Sequence, residues 1–133
     1  MEQQLPKITP FLMFAGRAEE AMKYYTSIFE DAEITSIVHN GDGTVMQATF
    51  KLNGQLFMCI DSPIEHDFSF TPAISLYVTC NTQKEIEQAF EQLSDGGEVL
   101  MTLDAYPFSE KFGWVNDKFG VSWQLNLQST PPT

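Results

Sequence analysis

The sequence predicts an α+β fold made of two βαβββ modules, and three observations predict it. An amphipathic helical pattern occurs twice. Each occurrence is preceded by one strand-like apolar run and followed by three more, separated by glycine-containing turns. The two halves also overlay at an offset of about 64 to 66 residues, with Leu12 on Leu76, Met22 on Ile86, Phe29 on Leu93 and Gly54 on Gly120.

In the first half, residues 7–14 form a short apolar run that reads as a strand. Pro10 lies within it and offers no amide hydrogen, so the strand should sit at a sheet edge or break there. Gly16 ends the run. Ala18, Ala21, Met22, Tyr25, Ile28 and Phe29 then recur at the i, i+3, i+4 spacing of one helical face, with Glu19 and Glu20 in the first turn where they complement the helix dipole. Residues 33–39 read as a strand running to the turn Asn40-Gly41-Asp42-Gly43. Residues 44–52 alternate, which puts Met46, Ala48, Phe50 and Leu52 on one face, and Asn53-Gly54 makes a two-residue hairpin into a strand at 55–61.

After a loop at 62–71 the order repeats. Residues 73–80 are β-branched and aromatic enough for a strand. Thr82 with Glu85 three residues later makes a capping box, and Ile86, Ala89, Phe90 and Leu93 supply the apolar face of the helix behind it. Asp95-Gly96-Gly97 stops that helix. Strands at about 98–105, 111–116 and 121–127 follow, the last two joined through 116–120, where Asp117 and Gly120 shape the turn. One such module has too small a core to stand alone, so module one (about 5–62) and module two (about 72–127) should pack as a single domain of residues 1–133, with 128–133 as a frayed tail.

Bulk properties narrow the function classes. A hydrophobic content of 43% with 19% charged residues is that of a globular chain. The balance of 18 acidic to 7 basic residues gives a net charge of −11, which repels phosphate backbones and anionic lipid, so no nucleic-acid or membrane partner is expected. The amino terminus lacks the basic and apolar blocks of a signal peptide. Cys59 and Cys80 lie in apolar runs without a close-spaced motif, as buried structural thiols in a reducing, cytoplasmic setting would.

A duplicated βαβββ unit of this size resembles the vicinal oxygen chelate superfamily of glyoxalase I, extradiol dioxygenases and bleomycin- and fosfomycin-resistance proteins. Two stretches narrow the resemblance. Ile8-Thr9-Pro10-Phe11-Leu12-Met13-Phe14-Ala15-Gly16, followed by Ala21 and Tyr24-Tyr25, is one. The other runs from Phe108 through Phe112-Gly113-Trp114 and Asp117-Lys118-Phe119-Gly120 to Trp123. Both are similar to the PhnB-like branch, often labelled a demethylubiquinone methyltransferase domain, and the similarity spans about 5 to 127. The resemblance implies a cupped mixed sheet with the helices outside, and a homodimer.

Metal-using members of that superfamily supply a His or Gln from the first strand of each module and a Glu or similar ligand from the last, for Lewis-acid chemistry. The corresponding positions here fall at about Pro10, at Ile74 or Ser75, at Met58 or Ile60, and at Gln124, with no His or Glu within a residue or two. The histidines are His39, near a hairpin, and His66, in a loop. No metal and no cofactor are therefore expected. A methyl donor such as S-adenosylmethionine would want a glycine-rich loop after a strand, whereas Gly96-Gly97 closes a helix. No G-x-S-x-G elbow is present for serine chemistry.

Strand alternation points Phe11, Met13, Asp61, Trp114 and Gln124 toward the concave side, where aromatic and a few polar groups make a small-ligand pocket. The favoured reading is a metal-free protein binding a small organic molecule. Two others stand beside it: a metal-dependent lyase or dioxygenase-like enzyme using Gln124, Asp61 and His66, and an interaction domain whose concave side is filled as core.

Overall fold

Local hydrogen bonding sets the frame of the first module. A computed structural model describes residues 6–64, 70 and 73–128. The chain divides into two compact units, Met1–His66 and Asp67–Thr133. The first contains β1 (Phe11–Phe14), α1 (Ala18–Ile28), β2 (Ala32–His39), β3 (Val45–Leu52) and β4 (Gln55–Asp61). Its sheet has the order β1-β4-β3-β2, with β1 parallel to β4 and the remaining pairs antiparallel. Pro10 lies just outside β1, and its carbonyl accepts from the Met58 amide at 2.9 Å. β1 is an edge strand, where a proline costs no ladder bond. Asn53 and Gly54 both take positive φ (50° and 88°), as a two-residue hairpin requires.

The helix face of this sheet holds its core. Tyr25 of α1 stacks on Phe50 (ring centroids 6.2 Å apart), which stacks on Phe57 (5.1 Å). Ala18, Ala21, Met22, Ala48 and Cys59 are fully buried around them. Burying each large side chain contributes about 1.5–3 kcal/mol. Met46 departs from the expected alternation and is 54% exposed. The β2–β3 register shifts between Val38 and His39, so Val45 pairs with His39 and takes the buried place that simple alternation gives to Met46.

The second unit repeats the arrangement with β5 (Leu76–Cys80), α2 (Gln83–Ser94), β6 (Glu98–Tyr106), β7 (Ser109–Asn116) and β8 (Ser122–Leu127), in the order β5-β8-β7-β6. β5 is shorter than the expected 73–80. Its first ladder partner is Trp123, and continuing that register puts Ser75 opposite Ser122, the first residue of β8, while Ala73 and Ile74 fall opposite the turn before it. Ile86, Ala89 and Leu93 face the sheet from α2. The Phe90 ring reaches the backbone at Gly113, where an added Cβ would lie 2.5 Å from the ring edge. That close approach requires glycine.

Asp117 builds the β7–β8 turn. Its Oδ1 accepts from the amides of Phe119 and Val121, and its Oδ2 from the indole N–H of Trp123 at 2.8 Å. Gly120 takes φ 95°. Ser62 N–H donates to Phe14 O in the first module, and Gln128 N–H donates to Cys80 O in the second. These matched bonds relate Phe14 to Cys80 and Ser62 to Gln128, so Leu12 corresponds to Val78 and not to Leu76, its partner in the sequence overlay, and the fold is two βαβββ modules with mixed sheets and helices at the periphery.

Candidate functional site

Each sheet has one face packed under its helix and one face turned away from it, and ladder register assigns the side chains. In the first unit Phe11 stands beside Met58 and Met13 beside Ile60, all on the face away from α1. Phe11 is 50% exposed and Met13 37%. In the second unit Gln124 has Tyr77 on one side and Trp114 on the other, a row across β5, β8 and β7 on the face away from α2. Tyr77 is 59% exposed. Gln124 Nε2 donates to Ser75 Oγ at 2.8 Å, and Trp114 Nε1 donates to Ser122 Oγ at 2.7 Å, which fixes both side chains in the sheet's plane of neighbours.

The structure thus brings Phe11 together with Met13, and Trp114 with Gln124. Asp61 is set apart from them. It lies on the helix side of β4, it is buried, and backbone amides take its carboxylate. Oδ1 accepts from Gly16 N–H at 2.8 Å and Ala18 N–H at 2.9 Å, while Oδ2 accepts from Val45 N–H at 2.9 Å. It caps α1 and anchors the start of β3. Alternation along 55–61 gives its face only relative to its neighbours, and an aspartate at a strand end reads equally as ligand or cap. Tyr77 was missed by the sequence reading. Its place in the row follows from the β5–β8 register, which pairs Tyr77 with Gln124 as the β1–β4 register pairs Phe11 with Met58.

Among the described residues, the other groups singled out in the sequence are His39, Cys59 and Cys80. His39 Nε2 meets Glu19 Oε1 at 2.7 Å on the surface, and that hydrogen bond, with Lys23, holds the Glu19 carboxyl below its usual range. His66 lies outside the described residues. Cys59 and Cys80 are buried, and burial pushes both thiols up to about 12, helped by the charge of Asp61 for the first and of Glu85 for the second. Neither is a thiolate nucleophile at neutral pH.

The superfamily's metal and the methyl donor can each be tested against these residues. At the ligand-bearing register positions the chain offers Pro10, Ile74 or Ser75, Met58 or Ile60, and Gln124, whose neutral amide oxygen is a single weak donor, and Asp61 turns to the other face. Among the described residues no group of three or more His, Cys, Asp or Glu side chains gathers as a cation site. This donor set does not fit a hard or borderline divalent ion. For a nucleotide-bearing methyl donor, the amides of Gly16 and Ala18 at the start of α1 are taken by Asp61. The start of α2 is filled by Thr82 Oγ1 on Glu85 N–H (3.1 Å) and by Glu85 Oε1 on Asn81 N–H (2.8 Å). Neither strand-to-helix turn is arranged as a phosphate cradle.

Two βαβββ modules with mixed sheets, each with its helix on one face, define the vicinal oxygen chelate class. A family model described as 3-demethylubiquinone-9 3-methyltransferase matches residues 6–126, and the chain belongs to that family, the PhnB-like branch of the superfamily. A solved PhnB protein from Bacillus cereus, described under the same methyltransferase name, is 59% identical, with a TM-score of 0.91 over 92% of this chain and 100% of that one. Protein YjdN of Escherichia coli is 24% identical over 95% of this chain and 98% of its own length. A solved protein from Pseudomonas aeruginosa, also 24% identical, superposes with a TM-score of 0.79 over 95% of this chain and all of that one, a likeness of fold.

Proposed function

We propose that the chain binds a small organic molecule on a helix-free sheet face, without a metal ion; the contacting residues are Phe11 and Met13 on the face of the first unit, and Trp114 and Gln124, with Tyr77, on that of the second. One observation carries the reading. The positions where a metal-using member of the superfamily would gather donor atoms hold a proline, aliphatic or thioether side chains and a neutral amide, and beside them in the ladders stand Phe11 and Tyr77, 50% and 59% exposed. Rings and thioethers supply contact area, and a fixed amide supplies orientation, which is the make-up of small-ligand sites. Asp61 has no part in this site, because its carboxylate is committed to three amides.

The test is a thermal-shift screen of aromatic and amphipathic compounds on purified protein. A binder at 100 times its Kd stabilises the fold by about 2.7 kcal/mol, which raises Tm by several degrees. Failure of every compound to move Tm would overturn the reading. Stoichiometric Mn, Fe, Ni or Zn in the purified protein would favour the metal-dependent lyase or dioxygenase-like alternative instead.

The reading includes a homodimer, expected from the superfamily and checked by light scattering, where a monomer at micromolar concentration would count against it. It also places the protein in the cytoplasm, supported by two free buried thiols. Among the described residues no helix is long and apolar enough to cross a membrane.

A further inference from the structure

The helix-free face of the second unit carries a consistent electrostatic signature. Beyond the Tyr77–Gln124–Trp114 row, β7 continues with Phe112 at one end and Asn116 at the other. Tyr106 and Phe108 at the β6–β7 hairpin stack on each other (5.7 Å) and meet Phe112 edge-on at 6.1 and 5.0 Å, with Tyr77 at 6.5 Å. Phe108 is 64% exposed, so this cluster presents ring surface to solvent. Two carboxylates share the face by register: Glu98 stands opposite Asn116, and Asp104 opposite Phe112. Both residues are exposed, and Asp104 Oδ1 accepts from Ala105 N–H at 2.8 Å.

Two of the three cations of residues 67–133 belong to the α2 side. Lys84 is on α2. Lys111 Nζ reaches Glu87 at 2.6 Å and Gln83 at 3.3 Å on that helix. Lys118 Nζ lies 5.5 Å from the centre of the Phe119 ring. Asn116 adds an independent sign: its Oδ1 is buried and, among the described residues, accepts no hydrogen bond. A buried acceptor without a donor costs about 1–3 kcal/mol, a cost that is removed when the Asn116 amide turns outward to a ligand N–H. The Gln124 amide spends its N–H on Ser75 and leaves its oxygen as a second acceptor.

From this we infer that the molecule bound on this face is an organic cation, an amine or amidine whose N–H groups are attached to an aromatic or otherwise apolar body. The proposal deepens the small-molecule reading and rests on it. Acceptors and carboxylates take the charged head, while the exposed rings take the body by stacking and by attraction between the cation and their faces. An anionic ligand would meet Glu98, Asp104 and a net charge of −11, while Lys84 and Lys111 stand on the α2 side.

The test is calorimetric titration with three probes of one shape: 2-naphthylmethylammonium, 2-naphthylmethanol and 2-naphthylacetate. The amine should bind about tenfold more tightly than the alcohol, a difference of about 1.4 kcal/mol, and the carboxylate most weakly. The double variant Glu98→Gln, Asp104→Asn, with both changes at exposed positions, should remove most of the amine's advantage and leave the alcohol's affinity as it was. Equal binding of all three probes, or tightest binding of the carboxylate, would overturn the cation proposal while leaving small-molecule binding intact. A neutral or anionic hit from the thermal screen with no binding of the amine would do the same. Silence of all probes and of the screen would remove both.

Discussion

In the first module the amides that open α1 are held by Asp61, 43 to 45 residues further along the chain, whereas in the second the amides around the start of α2 are held by Thr82 and Glu85, from the helix's own first turn. The same job is done once by a long-range contact and once by a local one. A capping box forms as soon as its turn forms. The Asp61 cap exists only when β4 is in place beside β1, so it couples the helix to the finished sheet and, through Val45, to the start of β3. Arg17, at the N-cap position of α1, makes no side-chain cap of its own.

This difference predicts unequal costs for equivalent deletions. Asp61→Ala leaves three amides without their carboxylate, two of these bonds in buried surroundings, and should lower unfolding free energy by about 3 kcal/mol or more in urea denaturation. Asp61→Asn should recover only part of that, since its NH₂ would face an amide N–H at one of the two sites. Gly113→Ala comes next. It forces a methyl against the Phe90 ring, and it should cost about 1–3 kcal/mol, relieved by pairing it with Phe90→Leu. Thr82→Ala removes a single exposed local bond and should cost about 1 kcal/mol. If Thr82→Ala proved as damaging as Asp61→Ala, the contrast between a tying cap and a local cap would be lost.

The thiols sharpen the comparison with a smaller effect. Each capping carboxylate lies near a buried cysteine, and burial first, then that charge, raises the thiol from 9.0 to about 12. The folded state therefore favours the neutral thiol. Its contribution to stability is complete below pH 9, where both states are protonated, and is lost as pH rises toward 12 because the unfolded chain ionises first. The stability difference between wild type and the Cys59→Ala, Cys80→Ala variant should shrink across that window. Asp61→Asn should lower the Cys59 pKa and leave Cys80 unmoved, with Glu85→Gln doing the reverse, as read by thiolate absorbance.

Most of the fold was legible in the sequence because its signals are local. Helical spacing, the capping box, Asn53-Gly54 and the turn at 117–120 each depend on neighbours within a few residues. Where an element's extent depended on a distant partner, the reading slipped: β5 begins at Leu76, with Ala73 and Ile74 opposite the turn before β8, and the β2–β3 register shift moves Met46 out to solvent. The site divides the same way. Trp114 and Gln124 share a face because alternation is a local rule, and the ladder then pairs them. Asp61 obeys the same alternation, but whether its face is the ligand's or the helix's is decided by where α1 packs, which no window around residue 61 contains. Tyr77 was passed over because its row is visible only once β5 is registered on β8.

Metal independence is the claim on which the functional account turns, and it has a direct measurement. The amine probe can be titrated calorimetrically into protein stripped by chelator and dialysis, and again after addition of excess Mn²⁺ or Zn²⁺. The same Kd within error in all three conditions is the predicted result. Binding that appears only when a divalent ion is restored, with one ion per chain, would contradict it.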